Sequence, residues 1–387
     1  MNLHKNDIWF SVKAIIRSCV RFVMHLLPTT KNKIVFLNFD GKGYGDNPKY
    51  IAEEILRRKL PCKMVWLVKG NESVPESIKK VNKGFASFYE LATAKVIVSN
   101  CKTNVPDRLS KKKNQFYLQT WHGDFALKHI EKEVEGMLSP DYVETSKSDS
   151  AITDAVVSGS KSFSRILKES FWLPETCKIL EVGVARNDPY FRDASFREEL
   201  RSRYGFSPAD RILLYAPTIR DDGSMDCFNL DIERLRARLC QLSNEKWRII
   251  VRLHPYIVSQ VGLFGYDDDI INGSLFNDPQ ELCVISDALV TDYSSIMCDF
   301  FLQEKPVFLY APDLERYSDS RTGRGLRFKL PIPFNRNQEE LEAQMATFDK
   351  RQYDEAIKAF LRKDYRSFDD GHASERIVNV LKDVMQI

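Results

Sequence analysis

The chain has 387 residues, of which 43% are hydrophobic and 29% charged, so it is long enough for two domains with separate cores. The formal net charge is only +3, and no basic stripe alternates with aromatic residues, which argues against nucleic-acid binding. The eight cysteines form no C-x-x-C pair, and the six histidines show no H-E-x-x-H spacing. We therefore expect free thiols in a reducing compartment and no metal site.

The first thirty residues form an apolar stretch that carries cations at regular spacing. Lys13, Arg17 and Arg21 recur every four residues and so stack on one face of a helix. Three cations would be costly in hydrocarbon, and a bilayer span needs roughly 20 apolar residues without interruption. The pattern predicts an amphipathic helix over residues 1–30 that lies on an anionic membrane surface. The alternative is a helix packed on the protein's own core.

From Lys33 onward, short apolar runs alternate with helical stretches, a rhythm typical of parallel sheets with crossover helices. A turn-rich segment between Gly183 and Pro208 divides the runs into two sets. We therefore predict two lobes of one α/β architecture, over residues 31–195 and 196–387. The predicted strands are Ile34–Asn38, Lys63–Val68, Val96–Ser99 and Phe116–Thr120, followed by Ile212–Ala216, Arg248–Arg252, Ala288–Thr291 and Val307–Tyr310. Ligands of such sheets bind beyond the carboxyl ends of the strands.

A phosphate site is predicted where the strand that ends at Thr291 leads into a helix. Asp292 stands at the strand end, and Ser294 and Ser295 stand where the helix begins. Free backbone N–H groups and the helix dipole favour an anion there, and the two hydroxyls could add donors. The alternative is that one serine only caps its own helix.

Two more strand ends point to the same cleft. His254 follows a buried strand and can donate to a phosphate or neutralise developing charge, and Arg252 precedes it on the same strand face. Thr218 and Arg220 follow the strand that ends at Ala216, and the Arg220 guanidinium suits a diphosphate. The alternatives are a structural histidine and a surface ion pair of Arg220 with a neighbouring aspartate.

The first set of strands contributes a candidate general base. The strand Phe116–Thr120 leads directly into His122 and the permissive Gly123, and the ordinary pKa of a histidine lies close to physiological pH. Arg186 and its neighbours Asn187 and Asp188 stand at another turn, where a simple Asx turn is the alternative.

Six motifs in register resemble the CDP-glycerol glycerophosphotransferase family of teichoic-acid and related wall-polymer enzymes. The resemblance runs from about Lys33 to the C-terminus. It implies a GT-B arrangement, in which two Rossmann-like lobes face a cleft and the C-terminal lobe holds the donor, and attachment to the cytoplasmic face of the cell membrane. The motifs are Trp121-His-Gly, Gly183 to Asp188, Tyr215-Ala-Pro-Thr-x-Arg-Asp-Asp, Arg252-Leu-His-Pro, Thr291-Asp-Tyr-Ser-Ser and Asp370-Gly-His-Ala-Ser-Glu-Arg.

The resemblance also implies roles for single residues. His122 matches the histidine interpreted as the base, and His254 matches the histidine that contacts the donor phosphate. The remaining matches belong to the donor site and are Arg220, Asp292, Ser294 and Ser295.

Residues and resemblance together predict a transferase that moves a polyol phosphate from CDP-glycerol or CDP-ribitol to a hydroxyl of a lipid-linked saccharide or cell-surface polymer, releasing CMP. Positioning and charge neutralisation dominate phosphoryl transfer, so no metal is expected to be required, with Mg²⁺ left open. The rival hypotheses are a GT-B glycosyltransferase that uses a nucleotide sugar and a non-catalytic membrane scaffold. The resemblance implies that long-polymer members carry a sizeable extra region ahead of the two lobes, whereas about thirty residues precede the first strand here, so we expect short transfer and not a long polymer.

Overall fold

A computed structural model describes residues 22–103, 111–218, 220, 228–253, 264–276, 278–321 and 326–387. His254 and the part of the predicted membrane helix before residue 22 lie outside the described residues.

The first sheet has seven parallel strands in the order β3-β2-β1-β4-β5-β6-β7. Its central strands are apolar and buried because helices cover both faces. The strands are β1 (Thr30–Leu37), β2 (Lys63–Val68), β3 (Lys79–Asn82), β4 (Ala94–Ser99), β5 (Phe116–Gln119), β6 (Ala155–Ser158) and β7 (Lys178–Glu181). The helices among them are Asp46–Arg57, Phe85–Thr93, Pro140–Ala151 and Lys161–Ser170, and short 3-10 turns cover Glu131–Met137 and Ala185–Phe191.

The second sheet has six parallel strands in the order β10-β9-β8-β11-β12-β13. The strands are β8 (Arg211–Tyr215), β9 (Trp247–Val251), β10 (Ile270–Asn272), β11 (Ala288–Thr291), β12 (Val307–Tyr310) and β13 (Phe334–Asn335). The helices around them are Ala194–Arg203, Ile232–Ser243, Pro279–Ile285, Ile296–Phe301, Leu314–Arg321, Gln338–Ala346 and Lys350–Phe360. All eight predicted strands are present, within a few residues of their predicted ends, so the prediction of an α/β fold with parallel sheets is confirmed.

The last helix, Ala373–Met385, returns to the first sheet. Its buried face, which includes Ile377 and Leu381, packs against the core that contains Ile34 of β1. Asp188 caps this helix by accepting from the backbone N–H groups of its first two residues, at 2.9 and 2.7 Å. We predicted residues 196–387 as one unit from chain order, but the apolar face of the last helix is complementary to the first sheet.

Buried ion pairs join the two lobes beside the cleft. Lys49, on the first helix, contacts Asp278 and Glu281 of the second lobe at 2.5 and 2.8 Å. Tyr50 donates its hydroxyl to the same Asp278 at 2.7 Å. Because these partners are buried and mutually satisfied, they hold the carboxyl edges of the two sheets in a defined relation.

Candidate active site

His122 lies just after β5, at the carboxyl edge of the first sheet. Its Nδ1 is 2.8 Å from the carbonyl oxygen of Asn100. A carbonyl can only accept, so this bond assigns the proton to Nδ1 and leaves Nε2 with a lone pair. The ring packs beside Trp121 and Phe39, with ring centroids 4.3 and 5.5 Å away. A neutral imidazole with an unprotonated Nε2 is the form that a general base requires.

Burial lowers the pKa of His122 below its ordinary value of 6.5, and nearby Arg186 acts in the same direction. The bond to Asn100 and the charge of Asp46 oppose this shift. Since burial is the largest of these effects, the imidazole is neutral at neutral pH.

The chain around His122 follows an unusual backbone path. Trp121 has a φ of 54° and Gly123 a φ of 152°. Asn47 stabilises this turn by donating its side-chain N–H to the Trp121 carbonyl at 3.0 Å. A methyl group on Gly123 would lie 3.4 Å from Arg186 Nη2 and 3.5 Å from Ser295 Oγ. Gly123 is therefore the point at which the histidine-bearing turn directly faces the second lobe.

Arg186 is buried at this junction. Its Nη1 is 3.2 Å from Asp46, and its Nη2 is 3.4 Å from Asp299 of the second lobe. Burial raises the pKa of Asp299 to about 6, and Arg186 opposes that rise. The guanidinium is thus held between a carboxylate of each lobe, next to the turn that carries His122. The sequence pointed to Arg186 only as part of a turn motif, with no site role assigned.

The predicted donor motif contains a closed ionic network. Asp292 accepts from the backbone N–H of Thr218 at 2.9 Å and pairs with Arg220 at 2.8 Å. Arg220 also binds Asp313 through two nitrogens, at 2.6 and 3.1 Å, and its guanidinium lies 5.0 Å from the centre of the Tyr293 ring. The fork that we predicted for a diphosphate is thus occupied by carboxylates. Asp292 and Arg220 tie together the ends of β8, β11 and β12.

Three hydroxyls at this edge differ in their hydrogen bonds. Ser294 Oγ accepts from the Ile296 N–H at 3.4 Å, as a local cap does. The Ser295 side chain makes no capping bond although Ser295 is the residue that precedes the helix, so its hydroxyl, which faces Gly123, does not serve its own helix. Thr218 Oγ1 is buried without a hydrogen-bond partner among the described residues. Buried hydroxyls normally have partners, which makes Thr218 a candidate for binding a ligand, and Ser295 is a candidate because its hydroxyl faces the other lobe.

Arg252 has a structural set of partners. Its Nη1 donates to the carbonyls of Gly273 and Phe276, both at 2.8 Å, and so fixes the turn after β10. Of the predicted donor residues, Ser295 faces the first lobe and Thr218 has a buried hydroxyl without a partner among the described residues, whereas Arg220, Asp292 and Arg252 bind other groups of the protein. Within the described ranges, no group of three or more histidine, cysteine or acidic side chains is arranged to hold a metal ion.

Fold and site together define a two-lobed α/β protein in which the turn that carries a neutral histidine on one lobe faces Ser295, at a helix start, on the other. The family model described as CDP-Glycerol:Poly(glycerophosphate) glycerophosphotransferase matches residues 19–383. The chain therefore belongs to this family of transferases, as the sequence motifs predicted.

Two bacterial relatives illustrate the range of the family. The teichoic acid glycerol-phosphate transferase of Staphylococcus aureus is 33% identical, over 96% of this chain and 98% of the relative. The teichoic acid poly(glycerol phosphate) polymerase of Staphylococcus epidermidis is 32% identical, over 91% of this chain. The chain spans about half the length of that polymerase, 51%.

Solved structures give the same picture. The wall teichoic acid polymerase TagF superposes with a TM-score of 0.83 at 30% identity, covering 100% of this chain and 98% of that chain. A Staphylococcus aureus MnaA–UDP structure matches with a TM-score of 0.53 at 14% identity, over 92% of this chain and 97% of the other. The second similarity concerns the fold alone.

Proposed function

We propose that this protein transfers glycerol phosphate from CDP-glycerol to a hydroxyl of a lipid-linked saccharide or cell-surface polymer and releases CMP. The observation that carries the proposal is the Asn100–His122 bond, which presents a neutral Nε2 on the lobe that faces Ser295. The names of the relatives with 30% identity or more support glycerol over ribitol, and one TagF structure is of a variant soaked with CDPG.

In the proposed mechanism, His122 Nε2 takes the proton of the acceptor hydroxyl. At the same time, the oxygen of that hydroxyl attacks the phosphorus that carries glycerol. The bond from this phosphorus to the oxygen that bridges to CMP breaks, and CMP leaves with the bonding electrons. We assign the binding of the leaving phosphate to Ser295, Thr218, the backbone at the helix start and His254. Arg186 pairs with Asp46 and Asp299 and links the two lobes beside the histidine-bearing turn.

We further propose a GT-B arrangement in which the second lobe binds the donor and the first lobe the acceptor. Two observations support the two-lobed arrangement. The protein has two separate parallel sheets, and its last helix returns to the first sheet. We infer that no metal is needed, because the site offers positioning and hydrogen-bond donors without one. Retention of activity in EDTA is the expected result, and restoration by Mg²⁺ alone would contradict it.

The test of the proposed function is a donor screen. CDP-glycerol, CDP-ribitol and UDP-N-acetylglucosamine are each incubated with the full chain and a bacterial lipid-linked saccharide fraction, and nucleotide release is followed by HPLC. We expect acceptor-dependent CMP from CDP-glycerol. UDP release from the sugar donor would favour the glycosyltransferase hypothesis, and no release from any donor would favour a scaffold.

We also propose that the protein is peripheral to the cytoplasmic face of the cell membrane. Phe22 and Leu26 are each 69% exposed, and Phe85 on the helix Phe85–Thr93 is 72% exposed. Lys112 joins the two segments by donating to the carbonyls of Leu27 and Ala92. Such exposed apolar groups suit insertion into a bilayer surface. In the part of the chain that the structure describes, no helix has the length and apolar character to cross a bilayer.

Liposome flotation tests this localisation. Binding to anionic vesicles should weaken in salt and when Lys13, Arg17 and Arg21 are changed to Glu together. Replacing Phe22 and Leu26 by Ser should weaken it as well. Binding that responds to none of these changes would contradict the surface interpretation.

A further inference from the structure

Phe39 has an unfavourable backbone conformation beside the candidate base. It follows β1 at the carboxyl edge of the first sheet and has a φ of 40°, and the next residue, Asp40, has a φ of 57°. Residues other than glycine rarely adopt such values, and two in succession persist only where surrounding contacts enforce them. Strain of this kind is concentrated at functional sites, so the contacts that enforce it indicate what it serves.

The enforcing contacts also position His122. Asn100 is fully buried; its side-chain oxygen accepts from the Phe39 N–H at 2.7 Å, and its backbone carbonyl accepts from His122 Nδ1. The Asn100 amide is in turn fixed by Asn38 at 2.8 Å. Lys69 and Lys83 hold the Asp40 carboxylate. One buried asparagine therefore holds both the imidazole of His122 and the backbone of Phe39.

Packing does not explain the position of the Phe39 ring. The strand that precedes it, including Phe36 and Leu37, is essentially fully buried, whereas Phe39 is 40% exposed and 5.5 Å from the His122 ring. A large apolar side chain gains from burial, and Phe39 leaves 40% of its surface exposed although its backbone is held in an unfavourable conformation. The Phe39 ring is thus a partly exposed apolar surface next to the candidate base, and a group whose proton passes to Nε2 has to approach within roughly 3 Å of that nitrogen.

We propose that Phe39 is the acceptor platform, and that the acceptor's attacked hydroxyl belongs to a neutral sugar ring that packs on this phenyl face. This inference rests on the proposed function. One face of a pyranose presents C–H groups with partial positive charge, which complement the negative face of an aromatic ring. An acyclic glycerol phosphate end has no such flat face, and its negative charge is repelled by the ring. Phe39 therefore selects a saccharide end over a glycerol phosphate end.

The experiment uses two synthetic acceptors with the same dodecyl chain, one ending in a neutral disaccharide and one in glycerol phosphate, with CDP-glycerol as donor. For Phe39→Ala we expect the KM for the disaccharide acceptor to rise about tenfold, with the KM for CDP-glycerol unchanged. Phe39→Tyr should keep the wild-type values because the aromatic face remains. Phe39→Gly should raise the acceptor KM equally and leave the melting temperature within a few degrees, because glycine relieves the unfavourable φ.

The control is Phe191→Ala, which removes a ring of similar exposure, 41%, on a different surface. An unchanged acceptor KM in Phe39→Ala overturns the proposal, and so does an equal rise for the glycerol phosphate acceptor. A disaccharide titration followed by intrinsic fluorescence separates this result from the proposed function. If no CMP is formed but Phe39→Ala weakens disaccharide binding, Phe39 is still the acceptor platform, and CDP-glycerol is not the donor. Absence of saturable disaccharide binding to the wild type overturns the platform.

Discussion

The ends of β5 and β11 both place polar residues at a sheet edge, and they differ in how those residues are bonded. His122 follows β5, and its Nδ1 donates to the backbone carbonyl of Asn100, which follows β4. Its Nε2 remains available. After β11, Asp292 and Arg220 bind each other, and Asp313 and the Thr218 backbone complete the set. The first arrangement orients a reactive group. In the second arrangement, the charged side chains neutralise one another inside the protein.

The comparison shows that a polar residue at a strand end can bind a ligand only if one of its donor or acceptor atoms is not already bonded within the protein. Arg220 lies buried between carboxylates, and breaking such a set would leave charges without partners. Ser295, three residues after Asp292, makes no capping bond of its own. Function at this edge is therefore expected from the hydroxyls and not from the ion pairs.

The largest expected effect is at His122. His122→Ala should lower kcat by about 10²- to 10⁴-fold and leave the Kd for CDP-glycerol nearly unchanged, because a base acts in the chemical step. Because burial lowers the pKa of His122, the wild-type rate should fall only as pH drops through a value below 6.5. Steady-state kinetics and equilibrium dialysis measure the two quantities.

The matched control is His372→Ala, because His372 is an exposed histidine that faces Glu375 at 3.4 Å. It should keep wild-type kinetics. A loss of CDP-glycerol binding in His122→Ala as large as the loss of rate would assign His122 to the donor site instead.

The next effect concerns stability. Arg220→Met should reduce the free energy of unfolding by about 3–5 kcal/mol, because Asp292 and Asp313 would remain buried without their cation. Urea unfolding measures the change. Arg336→Met removes an exposed pair with Glu315 and should change the free energy by less than about 1 kcal/mol. If Arg220→Met has wild-type stability but binds CDP-glycerol weakly, Arg220 binds the diphosphate of the donor, as the sequence predicted.

The sequence predicted the interior strands of both sheets except β6 and missed the edge strands. All four edge strands, β3, β7, β10 and β13, escaped prediction. They have two to four residues and are only partly buried, as in the Lys-Lys-Val-Asn of β3, so they lack the continuous apolar run that identifies a central strand. β6 was also missed, because four residues are too few for a periodic signal.

In the candidate site, the motifs predicted the strand ends that carry polar residues but not the pairings between them. His122 and Ser295 were predicted from their places after strands. Asn100, Asp46 and Asp299 carry no local signal, since each acts through a residue far away in sequence. The closed network around Arg220 was hidden for the same reason, because its partner Asp313 is 93 residues away.

A third effect is on pH dependence, at the junction of the lobes. The Asp299 carboxyl has a pKa of about 6 in the folded protein against an ordinary value of 3.8; Asp124 and Asp46 add to the rise caused by burial, while Arg186 and Tyr190 oppose it. Between these values the folded state binds more protons than the unfolded state, so Asp299 makes stability fall as pH rises. Asp299→Asn should remove a slope of up to ~1.4 kcal/mol per pH unit between about pH 4 and 6.

Urea unfolding at several pH values measures this slope in both proteins. Asp193→Asn is the control, because Asp193 is a surface helix cap. Parallel curves for Asp299→Asn and the wild type would mean that Asp299 titrates normally.

The smallest expected effect is at Ser295, and it separates the two kinds of hydroxyl at this edge. Ser295→Ala should raise the Kd for CDP-glycerol about tenfold, as expected for the loss of one hydrogen bond to a charged group, without changing stability. Ser294→Ala removes an oxygen that accepts from the Ile296 N–H and should lower the free energy of unfolding by about 1 kcal/mol, with a smaller change in Kd. Titration calorimetry and urea unfolding of both variants decide between these roles. If Ser294→Ala weakens CDP-glycerol binding and Ser295→Ala lowers the free energy of unfolding, the two assignments are reversed. If neither variant changes the Kd, the phosphate is bound by backbone groups or by His254 instead.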